Sequence, residues 1–171
     1  MSRMMLVGVI SDTHGSLHER AYEALAECDH IIHAGDICNP AILRELETLA
    51  PVTAVLGNND FDEYGERVQR FARPVIGQVK FLVAHYPQDV RIRPGDPIPD
   101  VCIHGHTHIP RIVYGKDARP AGYVVCPGSA SYPRGGSDRC IAKIELESAR
   151  VQSIRIETLS GKTVMSVGAV S

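Results

Sequence analysis

Five short segments carry polar residues that a hydrophobic core has no use for. They are Asp12-Thr13-His14-Gly15, Gly35-Asp36, Gly57-Asn58-Asn59-Asp60, Ala84-His85 and His104-Gly105-His106-Thr107-His108. Each follows directly on an apolar run. Taken singly, each has an ordinary explanation: Asp caps helices and forms turns, Gly-Asn-Asn-Asp makes a turn, and a lone His in a strand is usually a hydrogen-bonded core or surface residue. Asp-x-His, Gly-Asp, Gly-Asn, His and Gly-His-x-His at successive strand ends have no common explanation of that kind. The set reads as metal ligands: Asp12, His14, Asp36, Asn58, His85, His106 and His108. Two carboxylates, four imidazoles and one amide oxygen suit first-row ions such as manganese, iron, cobalt, nickel or zinc. The donors are too nitrogen-rich for calcium, poorly suited to magnesium, and lack the thiolates of a structural zinc site.

The elements that must position these segments are legible around them. Met5–Ile10 is a short Val- and Ile-containing run that fits a strand buried on both faces. Ser16 and Glu19 form a capping box ahead of a helix with Leu17, Ala21, Ala24, Leu25 and Cys28 at helical spacing. His30–Ala34 predicts a second strand. Asn39-Pro40 predicts a helix start, with Ile42, Leu43, Leu46 and Leu49 as its buried stripe and Pro51 as its stop. Val52–Leu56 predicts the third strand. Such a β-α-β-α-β run implies neighbouring parallel strands with right-handed crossovers. Ligands in such sheets bind beyond the carboxyl ends of the strands, so the first three clusters should meet in space.

After Pro74 the pattern changes to short strands and turns. Ile76-Gly77-Gln78-Val79 predicts a two-residue hairpin turn with Gly first. Strands are predicted over Val101–His104, Arg111–Tyr114, Tyr123–Cys126, Cys140–Leu146 and Val151–Thr158, and a helix around Glu63–Phe71. No repeat or linker interrupts the chain, and residues 1–171 read as one domain.

Composition narrows the function classes. With 171 residues, 44% hydrophobic and 22% charged, the chain has the make-up of an ordinary soluble globular protein. A net charge of −2 and a pI near 6.4 give no basic field for nucleic acid or membrane. A nucleotide substrate remains open, because a metal site supplies positive charge locally. The five cysteines, 28, 38, 102, 126 and 140, include no CxxC pair and read as reduced thiols packed as small apolar residues. The run Met4–Ile10 is too short to span a bilayer and lacks a small-residue cleavage site. The expectation is a cytoplasmic protein, with a homodimer as the commonest oligomer for such a chain.

The order of the motifs resembles the calcineurin-like metallophosphoesterase superfamily, and most closely its small single-domain prokaryotic phosphodiesterases. The resemblance runs from Val7-Gly8-Val9-Ile10-Ser11-Asp12-Thr13-His14-Gly15 to Pro127-Gly128-Ser129-Ala130-Ser131-Tyr132-Pro133-Arg134. It implies an α/β fold of two packed β-sheets flanked by helices, an αββα sandwich. It implies that Asp12, His14, Asp36 and His108 hold one divalent metal, and Asp36, Asn58, His85 and His106 a second, with Asp36 bridging. It also implies hydrolysis of small phosphoesters, foremost diesters, by a hydroxide bridging the two ions. Asp60 matches an acidic position of the family pattern and is expected to orient a neighbouring group. Asn59 stands where the family usually carries a His that protonates the leaving group, a departure that predicts a preference for activated diesters. The same fold serves as a non-catalytic scaffold in a retromer subunit with a degraded metal site, whereas the ligand set here is intact.

Other residues receive plainer readings. His33 is expected to be packed and hydrogen-bonded, His18 and His30 to lie at the surface, and His104 to play a structural or supporting role. Arg134 reads as a loop-stabilising residue rather than a phosphate contact. Gly161-Lys162-Thr163 is no P-loop, since Ile156 stands where the first glycine belongs.

Overall fold

A computed structural model describes residues 3–61 and 64–168. Alternate residues of β1 (Met5–Ile10) face two different cores: Val7 and Val9 join one apolar cluster, Leu6 and Ile10 another. A strand with two apolar faces must be covered twice. β1 pairs in parallel with β2 (His30–His33), and β2 with β3 (Val52–Ala54); α1 (Glu19–Leu25) and α2 (Pro40–Glu47) form the crossovers. Ala21, Leu25, Ile42, Leu43 and Leu46 of the helices pack with Ile10 and Ile31 on one face of this sheet. Gly8 makes the close approach possible, because a Cβ there would overlap Leu25 and come within 2.8 Å of Cys28 Sγ. On its other edge β1 pairs antiparallel with β10 (Cys140–Glu147), followed by β11 (Arg150–Thr158) and β12 (Thr163–Gly168). The sheet order is β12-β11-β10-β1-β2-β3.

The second sheet contains β4 (Phe71–Ala72), β6 (Val79–Ala84), β7 (Val101–Ile103), β9 (Tyr123–Cys126) and β8 (Arg111–Tyr114), in that order, with β5 (Val75–Ile76) paired to β6. Its middle strands β6, β7 and β9 are parallel. Phe81, Val83, Ile103 and Val125 join Val7, Val9 and Ile32 in the core between the sheets. Leu82, Ala84 and Cys102 face the other way, where Val90, Ala121 and Ile92 cover them. The two packed sheets expected from the sequence are present, with α1 and α2 on the first; among the described residues the outer face of the second is covered by loops and a 3₁₀ turn. The covering segment carries Pro87, Pro94, Pro97 and Pro99, a spacing that forbids a regular helix, and only a 3₁₀ turn forms at Pro87–Val90.

Local departures from the sequence reading have local causes. α1 begins at Glu19 with His18 as its cap, Nδ1 accepting from the Arg20 N–H at 3.1 Å. Ser16 is committed elsewhere: its N–H bonds to the Thr13 carbonyl, and its carbonyl accepts from Ser131 Oγ at 3.0 Å. α2 does start with Asn39 as cap and Pro40 at the first helical position. The helix expected over Glu63–Phe71 does not form. Glu63 lies outside the described residues, Gly65 takes a φ of +75°, and Gln69 lies in parallel beside Val55, accepting from the Leu56 N–H at 2.9 Å. The Gly77-Gln78 hairpin has positive φ at both central residues, as a type I′ turn requires. Strand β12 had no sequence signal of its own. No helix among the described residues is long and apolar enough to cross a membrane.

His33 is fully buried at the end of β2 and can exist there in one form only. The Gly35 N–H donates to its Nδ1 at 3.2 Å, so its proton is on Nε2, which donates to Thr13 Oγ1 at 3.0 Å; that hydroxyl donates on to the Ile37 carbonyl. Burial pushes this imidazole down to about 4. The unfolded chain takes up the proton near 6.5 and the native protein only near 4, so stability is lost as pH falls through that window. The loss amounts to about 3 kcal/mol. Urea unfolding in excess chelator at pH 7.5 and 4.5 should show a smaller acid loss for His33→Gln than for wild type; equal losses would remove His33 as the cause.

The cysteines behave as core atoms. Cys28, Cys102, Cys126 and Cys140 are buried and unbridged, and burial pushes the Cys28 thiol up to about 12.

Candidate metal centre

The parallel strands of both sheets end at one edge, and the seven singled-out side chains converge there. Asp12 and His14 follow β1, Asp36 follows β2, and Asn58 follows β3; His85 follows β6, while His106 and His108 follow β7. His14 Nε2 and His108 Nε2 lie 3.2 Å apart, and His108 Nε2 is 3.1 Å from Asp12 Oδ1. Asp36 Oδ2 lies between His14 Nε2, at 3.6 Å, and His85 Nε2, at 3.5 Å. Asn58 Oδ1 is 3.0 Å from His85 Nε2 and 3.2 Å from His106 Nδ1. Two compact donor groups emerge: Asp12 with His14 and His108, and Asp12 with Asp36 and His85. Asp12 Oδ1 thus reaches toward both groups, as Asp36 Oδ2 does.

The chemistry of these atoms asks for a cation. Asp12 is wholly buried; its Oδ2 accepts from Ser11 Oγ at 2.6 Å and the His106 N–H at 3.1 Å, yet its Oδ1 has no hydrogen-bond partner. An unsatisfied buried carboxylate oxygen costs more than the 1–3 kcal/mol of a neutral group. Two imidazoles facing it carry their protons on the far side. His85 Nδ1 donates to the Ala34 carbonyl at 2.8 Å and His108 Nδ1 to the Tyr132 carbonyl at 2.5 Å, since a carbonyl can only accept. Their Nε2 lone pairs therefore point into the centre, the tautomer a metal ligand needs. Lone pairs converging on one another repel unless a cation or proton separates them.

Protons compete for that place. Burial lowers the His85 imidazole, but Asp36, Asp12 and the Ala34 carbonyl outweigh it and hold it above its ordinary value. Burial alone would raise the Asp36 carboxyl; hydrogen bonds from His85 and from the backbone and side chain of Asn59 prevail and keep it well below the carboxylate range. Burial and His85 hold His106 low.

Backbone geometry is spent on the same edge. Asp12, His14, Asp36, His106 and His108 all have φ between 47° and 71°, a region costing L-residues about 1 kcal/mol or more. A lattice holds them there: Asp12 N–H bonds to the Gly35 carbonyl, His14 N–H to that of Asp36, and Gly105 N–H to that of His85. Three glycines allow the loops to close in. A Cβ on Gly35 would meet His85 Nδ1 at 2.7 Å, one on Gly57 would overlap Asp36, and one on Gly105 would overlap Ser11 Oγ.

A sequence profile of the calcineurin-like phosphoesterase superfamily domain matches residues 5–149. The chain belongs to that superfamily. A probable metallophosphoesterase from Methanothermobacter thermautotrophicus is 39% identical over 142 residues, which covers 76% of this chain and 80% of that protein. Among solved structures, the E. coli phosphoesterase YfcE superposes with a TM-score of 0.74 at 22% identity over 97% of this chain and all of that one. Wild-type Vps29 from Entamoeba histolytica, solved with zinc, gives 0.72 at 24% identity over 96% and 99%. These two likenesses speak for the fold alone.

The remaining residues of the phosphoesterase site divide the supporting work. Asn59 donates from its backbone N–H to Asp36 Oδ1 at 2.9 Å and from Nδ2 to Asp36 Oδ2 at 2.8 Å. Its amide braces a carboxylate. Asp60 accepts from the N–H groups of Ile37, Cys38 and Gly57 and from the Tyr64 hydroxyl, tying the loop after β3 to the loop after β2. Buried His104 turns Nδ1 to the Gly105 carbonyl and belongs to neither donor group. Sequence reasoning missed Ser11 and Ser129. Ser129 Oγ donates to the Asp12 carbonyl at 2.8 Å while accepting from the N–H groups of Ser131 and Tyr132. Its place in the Pro-Gly-Ser-Ala-Ser-Tyr segment was the available signal.

Proposed function

We propose that this chain is a metal-dependent phosphodiesterase acting on small substrates, with two divalent ions, manganese foremost, held by Asp12, His14, Asp36, Asn58, His85, His106 and His108. The observation that carries the reading is the buried, unpartnered Asp12 Oδ1 facing imidazole lone pairs that are fixed from behind by carbonyls. Two divalent ions bound there supply an activated water for attack on phosphorus and neutralise the phosphoryl oxygens. The protein orients that chemistry. Asp36 lies where it can serve both ions, and Asn59 holds its carboxylate in place. With Asn59 engaged on Asp36 and unable to act as an acid, leaving groups depart without a proton. The buried, unbridged thiols of Cys28, Cys102, Cys126 and Cys140 fit the reducing cytoplasm.

The test compares metal-stripped and manganese-loaded protein on bis(p-nitrophenyl) phosphate, p-nitrophenyl phosphate and cyclic nucleotides. Loaded protein should hydrolyse the activated diester fastest, chelation should abolish the rate, and rates across a diester series should fall steeply with leaving-group pKa. Loaded protein inert on every phosphoester would leave a scaffold with the same fold. Full turnover in excess chelator, with no metal remaining, would remove the metal from the mechanism.

A further inference from the structure

The centre opens on its His14–His108 side into a cleft of about 630 Å³, walled by Tyr132, Pro133 and Arg134. That volume lies within the range of pockets for whole small molecules and far exceeds a phosphoryl group. The wall is built firmly. Tyr132 N–H donates to Ser129 Oγ at 2.8 Å, Tyr132 carbonyl accepts from His108 Nδ1, and Arg134 N–H donates to the His108 carbonyl at 3.2 Å. Ser131 Oγ donates to the Ser16 carbonyl, and Arg139 Nε to the Ser131 carbonyl. The segment is thus fastened to Asp12 and His108 through backbone and serine contacts. None of this uses the Arg134 side chain. Its guanidinium makes no hydrogen bond or ion pair among the described residues, so a loop-stabilising role falls to its main chain, which any residue could supply. Tyr132 is likewise 55% exposed, its ring standing edge-on to His14 with centroids 5.4 Å apart.

An uncommitted guanidinium and an open aromatic face, both on a fixed loop beside the donors, form a recognition surface for something anionic and planar. We propose that Tyr132 and Arg134 form a subsite for the part of the substrate that is not attacked, taking a nucleobase against the tyrosine ring and a second phosphate at the guanidinium. The preferred substrates are then nucleotidyl phosphoesters that bear a further phosphate group. Two divalent ions against the Asp12 and Asp36 carboxylates would leave a net positive centre, and Arg134 adds one further positive charge, which accommodates that second negative charge. The subsite rests on the metallophosphoesterase reading, and its test is binding rather than turnover.

Titration calorimetry on manganese-loaded protein should compare thymidine 3′,5′-bisphosphate, thymidine 5′-monophosphate and inorganic phosphate. The bisphosphate should bind at least about tenfold tighter than the monophosphate, the value of a charge-assisted contact. Arg134→Ala should erase that difference and Arg134→Lys should restore part of it. Tyr132→Ala should weaken both nucleotides relative to inorganic phosphate by about fivefold or more, and Tyr132→Phe should retain them. Equal affinity of wild type for all three ligands, or an undiminished bisphosphate preference in Arg134→Ala, overturns the subsite. Wild type that prefers the bisphosphate yet hydrolyses no phosphoester upholds the subsite while the enzymatic reading fails. Hydrolysis of bis(p-nitrophenyl) phosphate without discrimination among the three ligands does the reverse.

Discussion

Asp36→Asn should lower the hydrolysis of bis(p-nitrophenyl) phosphate by about 10³-fold or more, among the largest losses from a single change at this site. Asp36 Oδ2 lies within 3.6 Å of imidazoles from both donor groups, so on the two-ion reading proposed above one substitution would withdraw a charge from both ions at once. The replacement amide also presents an N–H₂ toward the Asn59 N–H₂, which now donates to Asp36 Oδ2 at 2.8 Å. Manganese content at limiting metal, measured by mass spectrometry beside the rate, should fall with it. A variant that keeps the wild-type rate and metal content would take Asp36 out of the centre.

Gly57→Ala should be nearly as damaging although no functional group is lost. The added methyl would overlap both the Asp36 carboxylate and its backbone nitrogen, and a backbone atom cannot swing aside. Asp36 must move, and with it the hydrogen bonds from Asn59. Displacing groups that orient metal ligands typically costs about 10–100-fold in metal affinity, and overpacking costs about 1–3 kcal/mol of stability. Gly168→Ala is the control, since a methyl there meets nothing within 4 Å. Manganese titrations and thermal melts of the three proteins decide the matter. If Gly57→Ala matched Gly168→Ala in both, the close approach of the two loops would have no bearing on the site.

The sequence was most readable where burial and chemistry coincide. β1 and β2 stand out because both of their faces are apolar, and the polar residues that end them are conspicuous against that background. The same logic located the donors after β6 and β7. Where a segment answers to a distant partner, the local signal misled. Ser16 looks like a helix cap, but its backbone is taken by Thr13 and Ser131, so the helix starts two residues later with His18 as its cap. Residues 65–70 have helical spacing, yet Gly65 breaks the turn and Gln69 pairs beside Val55. β12 is an exposed edge strand whose only instruction is the register offered by β11. Ser129 was legible only through the Pro-Gly-Ser-Ala-Ser-Tyr segment it sits in, since nothing in a lone serine announces that 117 positions away a carbonyl awaits it.

The donors come from both layers of the sandwich: His14 and His108 are 94 positions apart in the chain, yet their Nε2 atoms nearly touch. On the reading proposed above, an ion between them is a rivet through the two sheets, closing a large chain loop that no disulfide closes. Loop-closure entropy grows only slowly with length, so even so long a span is closed at modest cost. By mass action the folded state then deepens with the free concentration of the ion. A cell that runs short of metal holds the same polypeptide in a form whose open edge frays more often. In such a protein, metal supply governs survival against proteases as well as speed of reaction.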